Sequence, residues 1–192
     1  MLILVSGLFL FFGVHSIRLF ADGWRARQIE RIGAMPWKGI YSVVSIIGFG
    51  LIIWGFGLAR STPIILWVPP TWTRHLTAGL MLISFLLLVA TYVPGNRIKA
   101  IIGHPMLLAV KVWAAAHLLA NGTLADTILF GAFLIWSITN FAVSRRRDRL
   151  SGVIYPVIGI WRDLMVICIG LIAFVLFAHF GHVWLIGVNP FG

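Results

Sequence analysis

The chain has 192 residues and a mass of 21.3 kDa, the size of one ordinary soluble domain, but its composition excludes that class. Apolar residues make up 60% and charged residues 10%, where soluble domains carry about 45–50% and about 25%. With a mean hydropathy of +1.01, so few charges cannot cover so much apolar surface, and the chain belongs in a lipid bilayer.

Six apolar stretches approach the ~20 residues that a membrane-spanning helix needs. In chain order they are roughly Leu2–Phe20, Gly39–Leu58, Leu76–Val93, Pro105–Ala120, Leu124–Val143 and Leu164–Trp184. None shows the period-2 alternation of a barrel strand. The expected fold is all-α, a polytopic transmembrane helical bundle forming one domain over residues 1–192. Ile154–Ile160 is apolar but short and interrupted by Pro156, which suits an interfacial or re-entrant piece. The first stretch has no basic segment before it and no small-residue cleavage site, so it reads as a span and not as a signal peptide.

The net charge of +10 is distributed as membrane loops distribute it, not as a nucleic-acid-binding stripe. Arg18, Arg25, Arg27, Arg31 and Lys38 flank the first loop. Arg97, Lys99 and Lys111 flank the third, and Arg145, Arg146, Arg147, Arg149 and Arg162 flank the fifth. Of the fifteen basic residues only Arg60 and Arg74 lie elsewhere. Alternate loops carry the charge, so the positive-inside rule places both termini outside, periplasmic in a bacterial inner membrane. Asn121-Gly122-Thr123 is a formal glycosylation sequon that reads as a turn between two spans. Trp37, Trp67, Trp72 and Trp184 fall at span ends, where aromatic belts form. The single cysteine, Cys168, excludes intramolecular disulfides and thiolate clusters.

Acids are scarce, and none of Asp22, Glu30, Asp126, Asp148 and Asp163 sits deep in a span. Histidine is the residue that stands out, because an ionisable group inside a span is costly. The loop assignment sorts His15, His104 and His117 toward the inner side and His75, His179 and His182 toward the outer side. At 1.5 Å per residue, His15 lies about 5 Å above Arg18 and His117 about 9 Å above Lys111. If both cations reach the inner interface, the two imidazoles share a depth on separate helices. That pattern suits axial ligation of haem iron, with Arg18 or Lys111 beside the propionates. It suits histidines that hydrogen-bond across packed helices equally well. Ala114, Ala115 and Ala116 leave room beside His117. His104 precedes Pro105, which is well placed for the first turn of a helix, and so lies at the membrane surface. His75, His179 and His182 with Asp126 form a further metal candidate on the outer side.

Several of these residues sit in recognisable motifs. Gly13-Val14-His15-Ser16, His104-Pro105-Met106-Leu107-Leu108, Ala116-His117-Leu118-Leu119-Ala120-Asn121-Gly122 and His182-Val183-Trp184-Leu185-Ile186-Gly187-Val188 resemble the NnrU family over nearly the whole chain. These are integral membrane proteins associated with nitrite and nitric oxide reduction in denitrifying bacteria. The family is similar to the zeta-carotene cis–trans isomerase, a membrane enzyme with b-type haem. The resemblance implies haem b as cofactor and His15 and His117 as iron ligands. It implies a redox or isomerase-like role, with His104 a candidate catalytic residue and respiratory enzymes or a lipophilic substrate as partners. The chain departs from the isomerase at Ala114, where that enzyme has a cysteine proposed as an alternative ligand. A redox ligand switch of that kind is therefore not carried over. Two other functions remain open. One is a non-catalytic assembly or sensing factor for a denitrification enzyme. The other is a small membrane methyltransferase, since His-Pro also opens the S-adenosylmethionine motif of isoprenylcysteine methyltransferases. Here, however, Gly103 replaces the usual Arg, and Met106 and Leu107 follow the proline.

Overall fold

A computed structural model describes residues 1–191, and they form helices joined by short connections. The helices are α1 (Leu2–Phe20), α2 (Asp22–Ile32), α3 (Ala34–Ser61), α4 (Trp72–Tyr92), α5 (Arg97–Ile102), α6 (Pro105–Ala120) and α7 (Leu124–Ser151). The last is α8 (Ile160–Leu176), which runs through a π turn, Phe177–Gly181, into α9 (His182–Ile186). Five segments are long and apolar enough to cross a membrane: α1, α3, α4, α7 and the continuous α8–α9. The expected fourth span, α6, has 16 residues. At 1.5 Å per residue it is about 24 Å long, short of a ~30 Å hydrocarbon core.

The chain divides into two compact units. The first comprises Met1–Leu66 with Thr123–Ala132, and the second Trp67–Gly122 with Phe133–Gly192. In the first, α1 and α3 pack antiparallel over their length, and glycine sets how closely. A Cβ on Gly7 would stand 2.7 Å from the Ile52 nitrogen, and one on Gly48 would stand 2.9 Å from the Phe11 nitrogen. With Gly55 against Leu4, the three positions form a small-residue seam of the kind that lets membrane helices approach through their backbones. The amphipathic helix α2, which the sequence reading left as a charged loop, follows α1. Its Trp24 ring meets Trp37 edge to face at 5.7 Å. At the start of α7, Asp126 accepts hydrogen bonds from the Thr123 amide at 3.2 Å and the Thr123 hydroxyl at 2.6 Å.

In the second unit α4 is central. The Thr77 hydroxyl donates to the Ala116 carbonyl and the Ser84 hydroxyl to the Ala109 carbonyl, each at 2.9 Å, so α6 runs antiparallel to α4. On another side, Leu86 packs on Gly170 and Phe85 on Phe174 and Phe177, so α8 also runs antiparallel to α4. Trp113 meets Phe133 at 5.2 Å and Lys111 lies over the Phe141 ring at 4.4 Å, which lays α7 antiparallel along α6. These directions define two ends. One gathers the start of α4, the end of α6 and the end of α8–α9. The other gathers the end of α4, α5, the starts of α6 and α8, and the end of α7.

The α4–α5 turn is fixed by Asn96, which is fully buried. Its side-chain amide donates to the Ala90 carbonyl at 2.8 Å and to the Val93 carbonyl, and its side-chain oxygen accepts from the Lys99 amide at 2.8 Å. The apolar stretch 154–160 forms no helix until its last residue, and the Ile158 amide donates to the Gly95 carbonyl at 2.9 Å.

Candidate functional site

In the first unit His15 lies on α1 with its Nδ1 2.7 Å from the Phe11 carbonyl, one turn back. Its ring stacks on Phe11 at 4.0 Å and faces Tyr41 at 5.2 Å. Arg18, a turn further on, is exposed.

The second unit holds a cavity of about 220 Å³, open on one side, at the end where α4 starts and α6 finishes. Phe85, Phe174, Phe177 and Met81 make its apolar wall. Arg74, His117, Asn121 and His182 bring the polar groups. Its volume is below the ~300–1,000 Å³ of ordinary ligand pockets, so it takes an edge or a chain of a larger molecule. The position of His117 follows from α6. Pro105 starts the helix, and His117 falls in its last turn, where Nδ1 donates to the Trp113 carbonyl at 2.9 Å. With Nδ1 so held, Nε2 is the nitrogen through which this ring would meet a metal. His182 enters the same cavity just after the π turn, with its Nδ1 donating to the Val188 carbonyl at 2.7 Å. Single π turns inside helices recur at functional sites because they re-aim side chains.

This arrangement corrects the sorting of histidines by depth. His117 lies at the opposite end of α6 from His104, about 20 Å along the axis, and shares its cavity with Arg74 and His182. Lys111 does not reach the interface: it lies over Phe141 midway along α6, so it marks no boundary. The outer metal candidate is also not assembled. Among the described residues no group of three or more His, Cys, Asp or Glu side chains is placed to hold a metal ion. Asp126 belongs to the first unit and is engaged by Thr123, while His75, His179 and His182 belong to the second.

The opposite end of the second unit is basic and tightly tied. Arg97, Lys99, Arg145, Arg146, Arg147, Arg149 and Arg162 lie on its elements. Asp163 at the start of α8 accepts from the Arg97 amide at 2.7 Å, and its other oxygen pairs with that residue's guanidinium at 3.6 Å. His104 caps the start of α6. Its Nε2 lies 2.9 Å from Asp148 Oδ2 on α7, at ion-pair distance but without the alignment of a hydrogen bond. The same oxygen accepts the Tyr155 hydroxyl at 2.9 Å. Burial raises the Tyr155 phenol above its ordinary value of 10.0, and the bond to Asp148 and its charge raise it further, against a lowering by Arg145. Gly103 makes this packing feasible. Its φ is +77°, and a Cβ there would stand 2.8 Å from Arg145 Nη1 and 3.3 Å from the Tyr155 ring. Sequence reasoning singled out His104 but missed Asp148, Tyr155 and Arg145. The left-handed Gly103 before His-Pro was the available signal of close packing there.

No curated protein and no solved structure matches the chain. One family profile does, described as NnrU protein, and it aligns with residues 3–190, covering both units and the motifs around His15, His104, His117 and His182. The chain therefore belongs to the NnrU family, as a multi-pass helical membrane protein.

Proposed function

We propose that this protein binds haem b in a bacterial inner membrane, with His117 as an iron ligand, and serves redox or isomerase-like chemistry linked to nitrite and nitric oxide respiration or to a polyene substrate. The observation that carries this reading is the environment of His117. Its Nδ1 is held by a backbone carbonyl at 2.9 Å, and its ring lines an aromatic-walled cavity with Arg74 at the edge. Those residues fit a haem in kind: an oriented imidazole, ring faces for a flat macrocycle, and a cation for a carboxylate. His15, the second ligand that the resemblance implies, is held in the same way by Phe11, but it lies near the end of α1 that the positive-inside rule places in the cytoplasm and is not assigned to the same iron as His117. When bound, haem b supplies one-electron redox chemistry at iron. The chain's own part is to orient the His117 imidazole, pair a propionate through Arg74 and exclude water by the rings.

The test is the visible spectrum of the full chain purified after expression with ample haem supply. The reading requires a haem spectrum in the purified protein, with a Soret band and reduced α and β bands. A protein that never contains haem under those conditions would falsify it. We place the basic end of the second unit in the cytoplasm by the positive-inside rule, with both termini periplasmic. Reporter fusions after Arg31 and Arg147 should then report cytoplasm, and a fusion at the C-terminus periplasm. A cytoplasmic C-terminus would show that α6 does not span.

A further inference from the structure

The cluster around His104 is not needed to hold haem, and it has the parts of a site of its own. Asp148 Oδ2 is turned toward two groups at once, His104 Nε2 and the Tyr155 hydroxyl, both at 2.9 Å. A carboxylate facing one ring nitrogen fixes the tautomer and leaves the other nitrogen as the base. In His104 that other nitrogen is Nδ1. It makes no hydrogen bond among the described residues and is not buried, whereas Nε2 is. Arg145, half-buried, reaches the same junction, its Nη1 against Gly103, the residue before His104. Among the described residues Arg145 makes no ion pair, although Asp148 lies one helical turn further along α7. A guanidinium without a carboxylate partner, at a junction with an accessible imidazole nitrogen and on a helix end also carrying Arg146 and Arg149, is a setting for an oxyanion.

We propose that Arg145 and His104 form a phosphate-binding site at the basic end of the second unit, in which Arg145 takes the phosphate oxygens and His104 Nδ1 accepts a proton from a bound dihydrogen phosphate or singly protonated phosphomonoester. The proton passes from the phosphate hydroxyl to Nδ1. The imidazolium that results faces the Asp148 carboxylate, whose orientation Tyr155 maintains. The Nε2 to Oδ2 approach is at hydrogen-bond distance but misaligned, the geometry of an imidazole whose hydrogen bond straightens on binding. His104 and Arg145 are the binding residues, while Asp148 and Tyr155 position them. The phosphate is either free, as in a soluble phosphomonoester, or the monoester headgroup of phosphatidic acid.

The experiment follows the histidine ring resonances of the full chain in phosphatidylcholine nanodiscs while inorganic phosphate is added at constant ionic strength. The His104 signal is identified by its loss in His104→Gln. It should shift saturably with phosphate and not with chloride, and at saturation both ring nitrogens should report as protonated. The signals of His75 and His179, outside this end, should not move. Arg145→Gln should weaken the phosphate response at least tenfold, and Arg145→Lys, which keeps the charge but not the fork, by less. Asp148→Asn should leave the bound-state ring neutral, an effect that a purely structural carboxylate would not produce. A His104 signal already displaced in nanodiscs containing phosphatidic acid, and then insensitive to added phosphate, supports the site and identifies the lipid headgroup as its source. A signal unmoved by phosphate and by phosphatidic acid overturns the proposal, as does equal phosphate affinity in wild type and Arg145→Gln. A ring that stays neutral at saturation overturns the proton transfer. None of these readouts involves haem, so the outcome is separable from that of the spectrum.

Discussion

The two ends of the second unit solve opposite problems with similar residues. Each has histidine and arginine near a helix terminus. At the cavity end, Arg74, His117 and His182 surround open space, and the two imidazoles are tethered to backbone carbonyls of their own segments. At the basic end, His104 and Arg145 are packed against Gly103, Asp148 and Tyr155, and three elements meet on one carboxylate. The lesson is that a histidine's role is read from what occupies its surroundings and not from its depth. Space bounded by rings marks a place for a ligand. A carboxylate and a phenol on the same atom mark a locked junction whose remaining capacity points outward.

The contrast can be broken by substitutions, beginning with the largest expected effect on stability. Gly103→Ala puts a Cβ on a backbone of positive φ, which costs about 1–2 kcal/mol, and forces the flexible end of Arg145 to move aside. We expect a loss of about 2 kcal/mol in denaturant titrations of the detergent-solubilised protein. Gly79→Ala is the control, because nothing lies near its Cβ position on α4, and it should be neutral or slightly stabilising. A tolerated Gly103→Ala would mean that the basic end is not packed as described. Asn96→Ala should cost about 2 kcal/mol, since it strips the Ala90 and Val93 carbonyls of a buried donor and removes the cap of α5. A loss under about 0.5 kcal/mol in the same titration would contradict that role.

Tyr155→Phe is smaller, about 1 kcal/mol, and sharpens the comparison through pH. The folded state raises the phenol above 10.0, mainly through burial and then through Asp148, so folding favours the protonated form. That stabilisation is complete below pH 10 and is lost as pH rises through the raised value. Wild type should therefore exceed Tyr155→Phe in stability at neutral pH, with the gap closing in alkali. A gap that widens with pH would reverse the sign assigned here. At the cavity end, His182→Ala should change stability by less than about 0.5 kcal/mol, because the side chain borders open space. A larger loss would show that this end, too, is a structural junction.

Much of this was legible in the sequence. All six apolar stretches lie within or along helices, and Pro105 opens α6 as its position in the chain implied. The family was readable from the motifs around His15, His104, His117 and His182. Helices α2 and α5 were not readable, because a short or charged helix has little apolar periodicity to betray it. The grouping of His117 failed for one physical reason: Lys111 found an aromatic face inside the unit and did not reach for water. The partners of His104 were hidden because Asp148 and Tyr155 reach it only through the antiparallel return of α7 and the loop that follows. Single-sequence spacing cannot report a contact that depends on how a long helix folds back.

The central claim is that His117, at the cavity end, holds an iron porphyrin that His104, at the basic end, does not. The most direct measurement is the reduced-minus-oxidised spectrum of His117→Ala and His104→Ala, purified side by side with wild type and normalised to protein. The account predicts that His117→Ala loses the haem signal and that His104→Ala keeps most of it. A haem signal unaltered in His117→Ala, or abolished in His104→Ala, would contradict it.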